Sequence, residues 1–193
     1  LIPSFYIMLG KLSGKIVVLN RFQESLLESY GVSPLKIAVI PHGVDRCTCY
    51  GEGDERTILF HGFIRPSKGL LELIEAVMLL KRKGINVRLK VLGSLAYQTI
   101  EREDERMYLA TTVKACRELK ESCILNIGFH DNEELFKNAS TAYIIILPYT
   151  DWYIESSGVL HTFMDCGKAV IVSRRPRFLS DVVPGREVIA INT

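Results

Sequence analysis

The stretch YIIILPYTDWYIESSGVLHTFMDCGKAVIVS, residues 143–173, decides the fold of this chain. It begins with the continuous apolar run Tyr143–Leu147, which is typical of a strand buried on both faces. Pro148 ends this strand, because proline cannot donate a backbone hydrogen bond to a neighbouring strand. The run Ala169–Val172, near the other end of the stretch, has the same character and predicts a second buried strand.

Between these strands the sequence predicts a helix that starts at Ser156-Ser157-Gly158 and ends at Gly167. Free backbone amides and small side chains at such a turn favour an anion, and Glu155 beside them can accept hydrogen bonds from hydroxyl groups. The turn therefore suits a ligand that is part phosphate and part sugar, or it is an ordinary helix cap beside a solvated acid. Tyr149 and Trp152 could stack on a sugar or a base, or only cover the loop.

The whole chain has the composition of an ordinary globular protein. Its 193 residues are 48% hydrophobic and 24% charged, and the net charge of +2 is too small to indicate a nucleic-acid partner. No apolar run approaches the length of a membrane span. The five cysteines show neither zinc spacing nor a disulfide framework. We therefore expect a cytoplasmic setting, with any peripheral membrane association left to the rest of a longer protein.

Strand and helix patterns alternate along the chain, which predicts an α/β fold with a parallel sheet covered by helices on both faces. The predicted strands are residues 15–19, 37–40, 57–60, 87–92, 124–127, 143–147, 169–172 and 187–191. The predicted helices are residues 22–30, 68–83 and 101–120, with further helices starting at 131 and 156. The loops that should meet at one edge of the sheet are residues 62–67, 93–97, 128–130 and 148–155.

A stretch without periodicity, residues 47–56, predicts a linker because it contains two glycines and four charges. We therefore divide the chain into three parts. We expect residues 1–46 to end a preceding domain or to cross over from it, and residues 57–193 to form a second domain, for which the resemblance described below implies nucleotide binding. The chain has no initial Met and stops directly after a strand-like run, so we expect it to be a piece of a longer protein.

A second informative stretch, FHGFIRPSKG at residues 60–69, places two cations just before a predicted helix. Arg65 and Lys68 oppose the helix dipole there, at a cost of roughly 0.3–1 kcal/mol each. A bound phosphate would turn this cost into a stabilisation, because the helix amides, the guanidinium and the ammonium would all contact one anion. Two solvated surface cations are the alternative interpretation.

Four motifs then occur in register: PHGVD at 41–45, GFIRPSKG at 62–69, GFHxxEEL at 128–135, and LPY…ESSGVL…GKAVI across 147–171. Together they resemble the nucleotide-binding C-terminal half of a retaining, GT-B fold glycosyltransferase of the family-four type. That group includes mannosyl-, glucosyl- and glycogen-synthase-like transferases. The resemblance covers nearly all of the chain from about Lys15 and implies a Rossmann-like domain, the C-terminal one of two.

The resemblance also implies roles for individual residues. Arg65 and Lys68 would hold the donor diphosphate and offset the charge of the leaving group, and Glu155 would contact the donor sugar. The residues that would bind the nucleotide are Gly62, Phe129, His130, Ser156, Ser157, Gly158 and Val159. The arginine stands three residues before the lysine, where many relatives have it five before. No metal and no tightly bound cofactor are implied; the donor would be a UDP- or GDP-sugar.

One family residue has no counterpart here. Relatives commonly carry a second glutamate, bound to the ribose, eight positions after the one that matches Glu155. The corresponding residue is Thr162 or Phe163, depending on the alignment, and neither can act as a carboxylate. His161, Thr162 and Asp165 are the candidates to replace it, although we expect each of them to face solvent.

We therefore expect a glycosyltransferase fragment that binds a nucleotide-sugar donor for retaining transfer of a hexosyl group. The acceptor, a glycan, a lipid-linked sugar or a small molecule, would be bound by the missing N-terminal domain. The isolated chain should consequently bind donor and transfer no sugar. A sugar-nucleotide epimerase of the same architecture and a non-catalytic nucleotide-binding domain are the alternatives.

Overall fold

The computed structural model describes residues 2–97, 101–153 and 155–192 of the chain. The elements in chain order are α1 (Ile2–Leu12), β1 (Ile16–Val18), α2 (Arg21–Ser29), β2 (Ile37–Val39), β3 (Asp54–Phe63), α3 (Leu70–Arg82), β4 (Arg88–Ser94), α4 (Glu103–Glu118), β5 (Cys123–Ile127), α5 (Asn132–Thr141), β6 (Ala142–Leu147), α6 (Gly158–Met164), β7 (Ala169–Ser173), α7 (Pro176–Leu179) and β8 (Ile189–Ile191). Short 3-10 turns cover Pro34–Lys36, Pro66–Lys68 and Lys120–Ser122. None of the described helices combines the length and the apolarity needed to cross a bilayer.

The main sheet has six parallel strands in the order β5-β4-β3-β6-β7-β8. The chain steps outward from β3 to β5, then returns to the other side of β3 and steps outward again from β6 to β8. A crevice opens where the direction reverses, outside the carboxyl ends of β3 and β6. The predicted α/β architecture with a parallel sheet is confirmed.

Central strand β3 shows why these strands are apolar throughout. Leu59 packs with α5, α6 and α7 on one face of the sheet, and its neighbours Ile58 and Phe60 pack with α3 and α4 on the other. Successive side chains of a strand point to opposite faces, so both faces of β3 need apolar residues. Leu59 and Phe60 are completely buried.

Most element boundaries differ from those predicted by one to three residues, and two of the differences lie beside the crevice or the predicted linker. The helix expected over residues 68–83 begins only at Leu70, because Gly69 adopts the left-handed backbone conformation (φ 66°) after the 3-10 turn. The strand expected from Thr57 already begins at Asp54, inside the predicted linker. The predicted loop 148–155 includes residue 154, which lies outside the described residues. The division into domains stays a prediction.

The smaller sheet pairs β1 with β2 in parallel and packs against α2 through a small core of Val18, Leu27, Val32 and Ile37. Several contacts tie the segment that follows it to the elements around the main sheet, and two of them reach α6 or the residue that ends it. The amide of Cys47 donates a 2.7 Å hydrogen bond to Asp165, and the ring of His42 stacks on that of His161 with 5.8 Å between centroids. The residues that connect the two sheets are therefore held against α6.

The expectation that the cysteines form no disulfide was wrong for one pair. Cys116 near the end of α4 and Cys123 at the start of β5 are disulfide-bonded, with 5.4 Å between their Cα atoms. The turn Lys120–Ser122 reverses the chain between them, and spacing along the sequence carries no signal of that reversal. Cys47, Cys49 and Cys166 are free thiols.

Candidate functional site

A cavity of about 250 Å³ opens in the crevice at the carboxyl ends of β3 and β6. Its lining residues are His61, Gly62, Phe63, Lys68, Ser94, Tyr149, Ser156, Ser157, Gly158, Val159 and Arg177. Residues from the predicted loops 62–67, 93–97 and 148–155 meet around this cavity or beside it. The fourth predicted loop, 128–130, lines an adjoining cavity that shares His61, Phe63 and Ser94 with the first.

Two residues that line the main cavity, Lys68 and Tyr149, form a contact between a cation and an aromatic ring. The ammonium of Lys68 lies 3.7 Å from the centroid of the Tyr149 ring, and Tyr149 is itself almost completely buried. Burial, together with repulsion from the nearby charge of Arg177, lowers the pKa of Lys68 to about 8. A bound anion would relieve both effects, so the lysine is placed to receive one.

Close backbone packing brings Lys68 to this position. A β-carbon on Gly69 would overlap the carbonyl oxygen of Pro148, so only glycine allows the two loops to approach this closely. The loops are further joined by hydrogen bonds from Thr150, whose amide donates to the Ser67 carbonyl at 3.1 Å and whose hydroxyl donates to the Pro66 carbonyl at 3.2 Å. The lysine is thus held by backbone contacts.

The opposite wall of the cavity is the turn that starts α6. Ser157 is the N-cap residue, and its hydroxyl oxygen accepts a 3.3 Å hydrogen bond from the amide of Leu160. A β-carbon on Gly158 would lie 3.0 Å from Nε2 of His42, so this turn also packs closely on the segment before β3. Ser157 therefore has the capping role that the sequence left open, and the turn still faces the cavity.

Ser156 belongs to a polar cluster that the sequence analysis missed. Its hydroxyl lies 2.5 Å from Oδ2 of Asp181 and 3.0 Å from Nε2 of His161, and that nitrogen is also 3.0 Å from the same carboxylate oxygen. In a catalytic triad the acid and the nucleophile contact different ring nitrogens. Here both contact one nitrogen, so the cluster fixes the turn and does not form a proton relay.

Burial alone would raise the pKa of Asp181, but hydrogen bonds from His161, Ser156 and Ser180 outweigh it and hold the pKa below its usual value. The carboxylate therefore stays ionised near neutral pH and keeps these donors in place.

The expectation that His161 faces solvent was wrong, because it is half-buried in this cluster. The other two candidates for the missing carboxylate are also engaged. The hydroxyl of Thr162 donates a 2.9 Å hydrogen bond to the Gly158 carbonyl, and Asp165, although exposed, accepts from the Cys47 amide. Each of the three therefore already has a structural contact.

Arg65 does not line the cavity. Its Nη2 is 2.7 Å from Oε1 of Glu105, a buried acid on α4, and the side chain of Arg65 is 31% exposed. The residue before it, Ile64, is completely buried in the core beneath α3, so the extended chain directs Arg65 elsewhere. The structure thus brings Lys68 to the cavity and keeps Arg65 apart from it.

A different arginine, Arg177 of α7, takes part in the lining. Its side chain is only 6% exposed, its Nε is 3.1 Å from Oδ1 of Asp151, and its Nη2 is 3.7 Å from Glu155. Its guanidinium lies 5.4 Å from the centroid of the same Tyr149 ring that Lys68 covers. The signal in the sequence was the basic run after β7, SRRPRF, which follows a buried strand at the same edge of the sheet.

Three further predicted residues, Glu155, Phe129 and His130, lie outside the lining of the main cavity. Glu155 is 72% exposed, and its carboxylate is 3.7 Å from Nη2 of Arg177. Phe129 is 90% exposed, whereas His130 is nearly buried with Nδ1 3.1 Å from Glu134. His61 donates through Nδ1 to the Leu92 carbonyl at 2.8 Å, and burial lowers its pKa, so it is neutral at pH 7. In the described ranges no three His, Cys, Asp or Glu side chains are grouped to hold a metal ion.

Comparison with known proteins agrees with this geometry. Residues 55–192 match the family model described as Glycosyl transferases group 1. No curated protein matches the chain significantly.

Among solved structures, the chain resembles HepE of Anabaena in complex with UDP and glucose, with a TM-score of 0.72 and 14% identity over 98% of this chain and 52% of that one. It also resembles the pneumococcal O-GlcNAc transferase GtfA in complex with UDP and GlcNAc. The TM-score is again 0.72, and the identity is 15% over 98% of this chain and 37% of that one. A third similar structure is the C-terminal domain of LpcC from Francisella tularensis. The TM-score is 0.54, and the identity is 19% over 75% of this chain and 69% of that one. The fold is thus that of the C-terminal domain of GT-B glycosyltransferases, and the chain spans about half the length of HepE.

Proposed function

The chain belongs to the family of glycosyl transferases group 1, and from this premise we propose that its main cavity binds the nucleotide-diphosphate sugar donor of a hexosyl transfer. The transfer would retain the configuration of the sugar. It would need the acceptor-binding domain of a longer protein, so the isolated chain is expected to bind donor without turnover.

The observation that carries this proposal is the position of Lys68. Its ammonium is half-buried on an aromatic ring, near a second cation, in a cavity whose described lining includes no acid. Such an arrangement costs free energy in the empty protein, because a desolvated charge and a like charge lie close together. A diphosphate supplies the negative charge that would offset this cost.

The roles follow from the walls of the cavity. Lys68 would bind the diphosphate and stabilise the charge that develops on it when the bond from its oxygen to the anomeric carbon breaks. The backbone of Ser157, Gly158 and Val159 would share the same phosphates across the cavity. Glu155 at the rim would orient the sugar whose anomeric carbon forms the new bond to an acceptor oxygen.

The adjoining cavity would hold the base. It has a volume of about 580 Å³ and includes Phe63, Phe129 and the backbone at Gly128. An exposed Phe ring offers a surface for stacking, and backbone groups offer hydrogen bonds to base edges. The HepE and GtfA structures both contain UDP, which supports a UDP-sugar as the first donor to test, ahead of a GDP-sugar.

Calorimetric titration of the chain with UDP, GDP and ADP, with and without magnesium, tests the proposal. We expect UDP to bind best and magnesium to be dispensable, because the cations of the cavity already supply positive charge. Lys68→Ala should weaken UDP binding by at least about tenfold, the value of one charge-assisted hydrogen bond. Lys114→Ala, which removes an exposed lysine on α4, is the matched control. Absence of binding by all three nucleotides would contradict the proposal.

A non-catalytic nucleotide-binding domain is the second candidate. It is favoured by one observation: His161, Thr162 and Asp165, which could have replaced the family's second glutamate, all have structural contacts instead. Sugar transfer from a bound donor by the full-length protein would eliminate this candidate. Intact UDP binding without transfer or epimerisation would favour it.

A further inference from the structure

Arg177, like Lys68, lines the main cavity. Although its side chain is 6% exposed, it lines the cavity and lies over the Tyr149 ring, with 5.4 Å between the guanidinium carbon and the ring centroid. A guanidinium this deeply buried is costly unless it is paired. Two acids, Asp151 and Glu155, supply this pairing.

The two ion pairs of Arg177 differ in strength, and the ring of Tyr153 lies 5.6 Å from its guanidinium carbon. Asp151, whose side chain is 9% exposed, approaches Nε at 3.1 Å and so holds the guanidinium from one side. Glu155 is 3.7 Å from Nη2, beyond hydrogen-bonding distance, and is mostly in solvent. Nη2 can therefore exchange this weak ion pair for a phosphate without losing the contact at Nε.

Arg65 contacts α4 instead of the main cavity. Its 2.7 Å contact with the buried Glu105 joins the loop after β3 to α4, on the side of the sheet where α3 and α4 pack. Moving Arg65 to the cavity would break this ion pair at a buried carboxylate, which is a large cost. Two residues earlier, Phe63 stands in the cavity lining at the position that relatives commonly give to arginine.

We propose that Arg177 is the second cation that binds the donor diphosphate, held in place by Asp151, and that Arg65 is a packing residue of the α4 interface. This inference rests on the proposed donor function of the cavity. The resemblance implies that an arginine after the first strand of the domain supplies this positive charge in relatives. Here Arg177 of α7 would supply it. Asp151 is then a positioning residue, since it acts on the phosphate through Arg177.

The test compares UDP with UMP in calorimetric titrations, because a cation on the diphosphate favours UDP over UMP. Arg177→Lys and Arg177→Gln keep a long side chain and protect against misfolding, which circular dichroism would check. We expect Arg177→Gln to reduce the preference for UDP by about 10- to 100-fold and Arg177→Lys to reduce it less. Arg174→Ala, which removes an exposed arginine of the same loop, is the matched control and should leave the preference unchanged.

Arg65→Ala distinguishes the two arginines. It should lower the melting temperature and change the UDP preference by less than about threefold, because it acts on the α4 interface. A UDP preference that survives Arg177→Gln, or that is lost in Arg65→Ala, would overturn this inference while leaving the donor site in place. If the unmodified chain binds none of UDP, GDP and ADP, the proposed function fails and this inference fails with it; if it binds only GDP or ADP, the same comparison is made with GMP or AMP.

Discussion

The ammonium of Lys68 lies 3.7 Å from the centroid of the Tyr149 ring, close enough for a cation–π contact. The ring both attracts the charge and excludes water from beneath it. Burial and repulsion from Arg177 nevertheless make the charged form costly, and the pKa of Lys68 falls to about 8. The protein thus keeps a cation in a place where an anion beside it would lower the cost of its charge.

UDP binding should weaken as the pH rises through about 8. Below that value Lys68 is charged in the empty protein, and above it the neutral form dominates, so binding of the fully ionised diphosphate must take up a proton. Titrations at pH 7, 8 and 9, in buffers with different ionisation enthalpies, would measure this uptake. Lys68→Arg should flatten the pH dependence because guanidinium stays charged. A flat profile for the unmodified chain would contradict the prediction.

Lys68→Met should stabilise the chain while weakening nucleotide binding. Methionine fills similar space without a desolvated charge and without repulsion from Arg177, so we expect the free energy of unfolding at pH 7 to rise by about 1 kcal/mol. Urea denaturation would measure the change, with Lys114→Met as the control at an exposed site. A clear loss of stability would mean that Lys68 contributes more to packing than its electrostatics suggest.

Gly69→Ala should be far more damaging than Gly84→Ala. Both glycines have positive φ, 66° and 79°, so each substitution incurs a backbone cost of about 1 kcal/mol. Only at Gly69 would the new methyl group also overlap the backbone of Pro148, and we expect a total loss of at least about 3 kcal/mol there. Thermal denaturation of the two variants makes the comparison. Equal losses would show that the loops can separate at little cost.

Reduction of the disulfide between Cys116 and Cys123 should lower the free energy of unfolding by roughly 2–3 kcal/mol, the value for a short closed loop. Melting temperatures with and without a reducing agent would detect this, and Cys116→Ser/Cys123→Ser should melt like the reduced protein. Cys49→Ser, at a free thiol, is the control. If all five cysteines react with a thiol reagent in the unreduced, denatured protein, the bond is not formed in solution.

The sequence was sufficient where a feature depends on one stretch of chain. The strand, turn, helix and strand of residues 143–173 form as their apolar spacing predicts, because burial on the sheet faces and on α6 is encoded locally. Lys68 and the turn at Ser157 start the predicted helices that follow two predicted strands, and the rules of parallel sheets bring the ends of those strands to one edge. These residues accordingly reach the same cavity.

The sequence was insufficient where a contact joins distant elements. Whether Arg65 turns toward Lys68 or toward α4 depends on Glu105, which no local pattern connects with it. Arg177 enters the cavity because α7 packs beside Tyr149, with 5.0 Å between the Phe178 and Tyr149 ring centroids. The cluster of Ser156, His161 and Asp181 likewise forms only once α6 and α7 are packed together.

The positions of Lys68 and Arg177 along the chain have a consequence for biosynthesis. Lys68 follows the first strand of the main sheet and Arg177 follows the last but one, so a nascent chain presents both cations together only after almost the whole sheet has been translated. If both cations are needed to bind the donor, as proposed, a chain that ends before Arg177 should bind it more weakly than the whole domain. Added UDP should then slow hydrogen exchange in β3 and β7 alike.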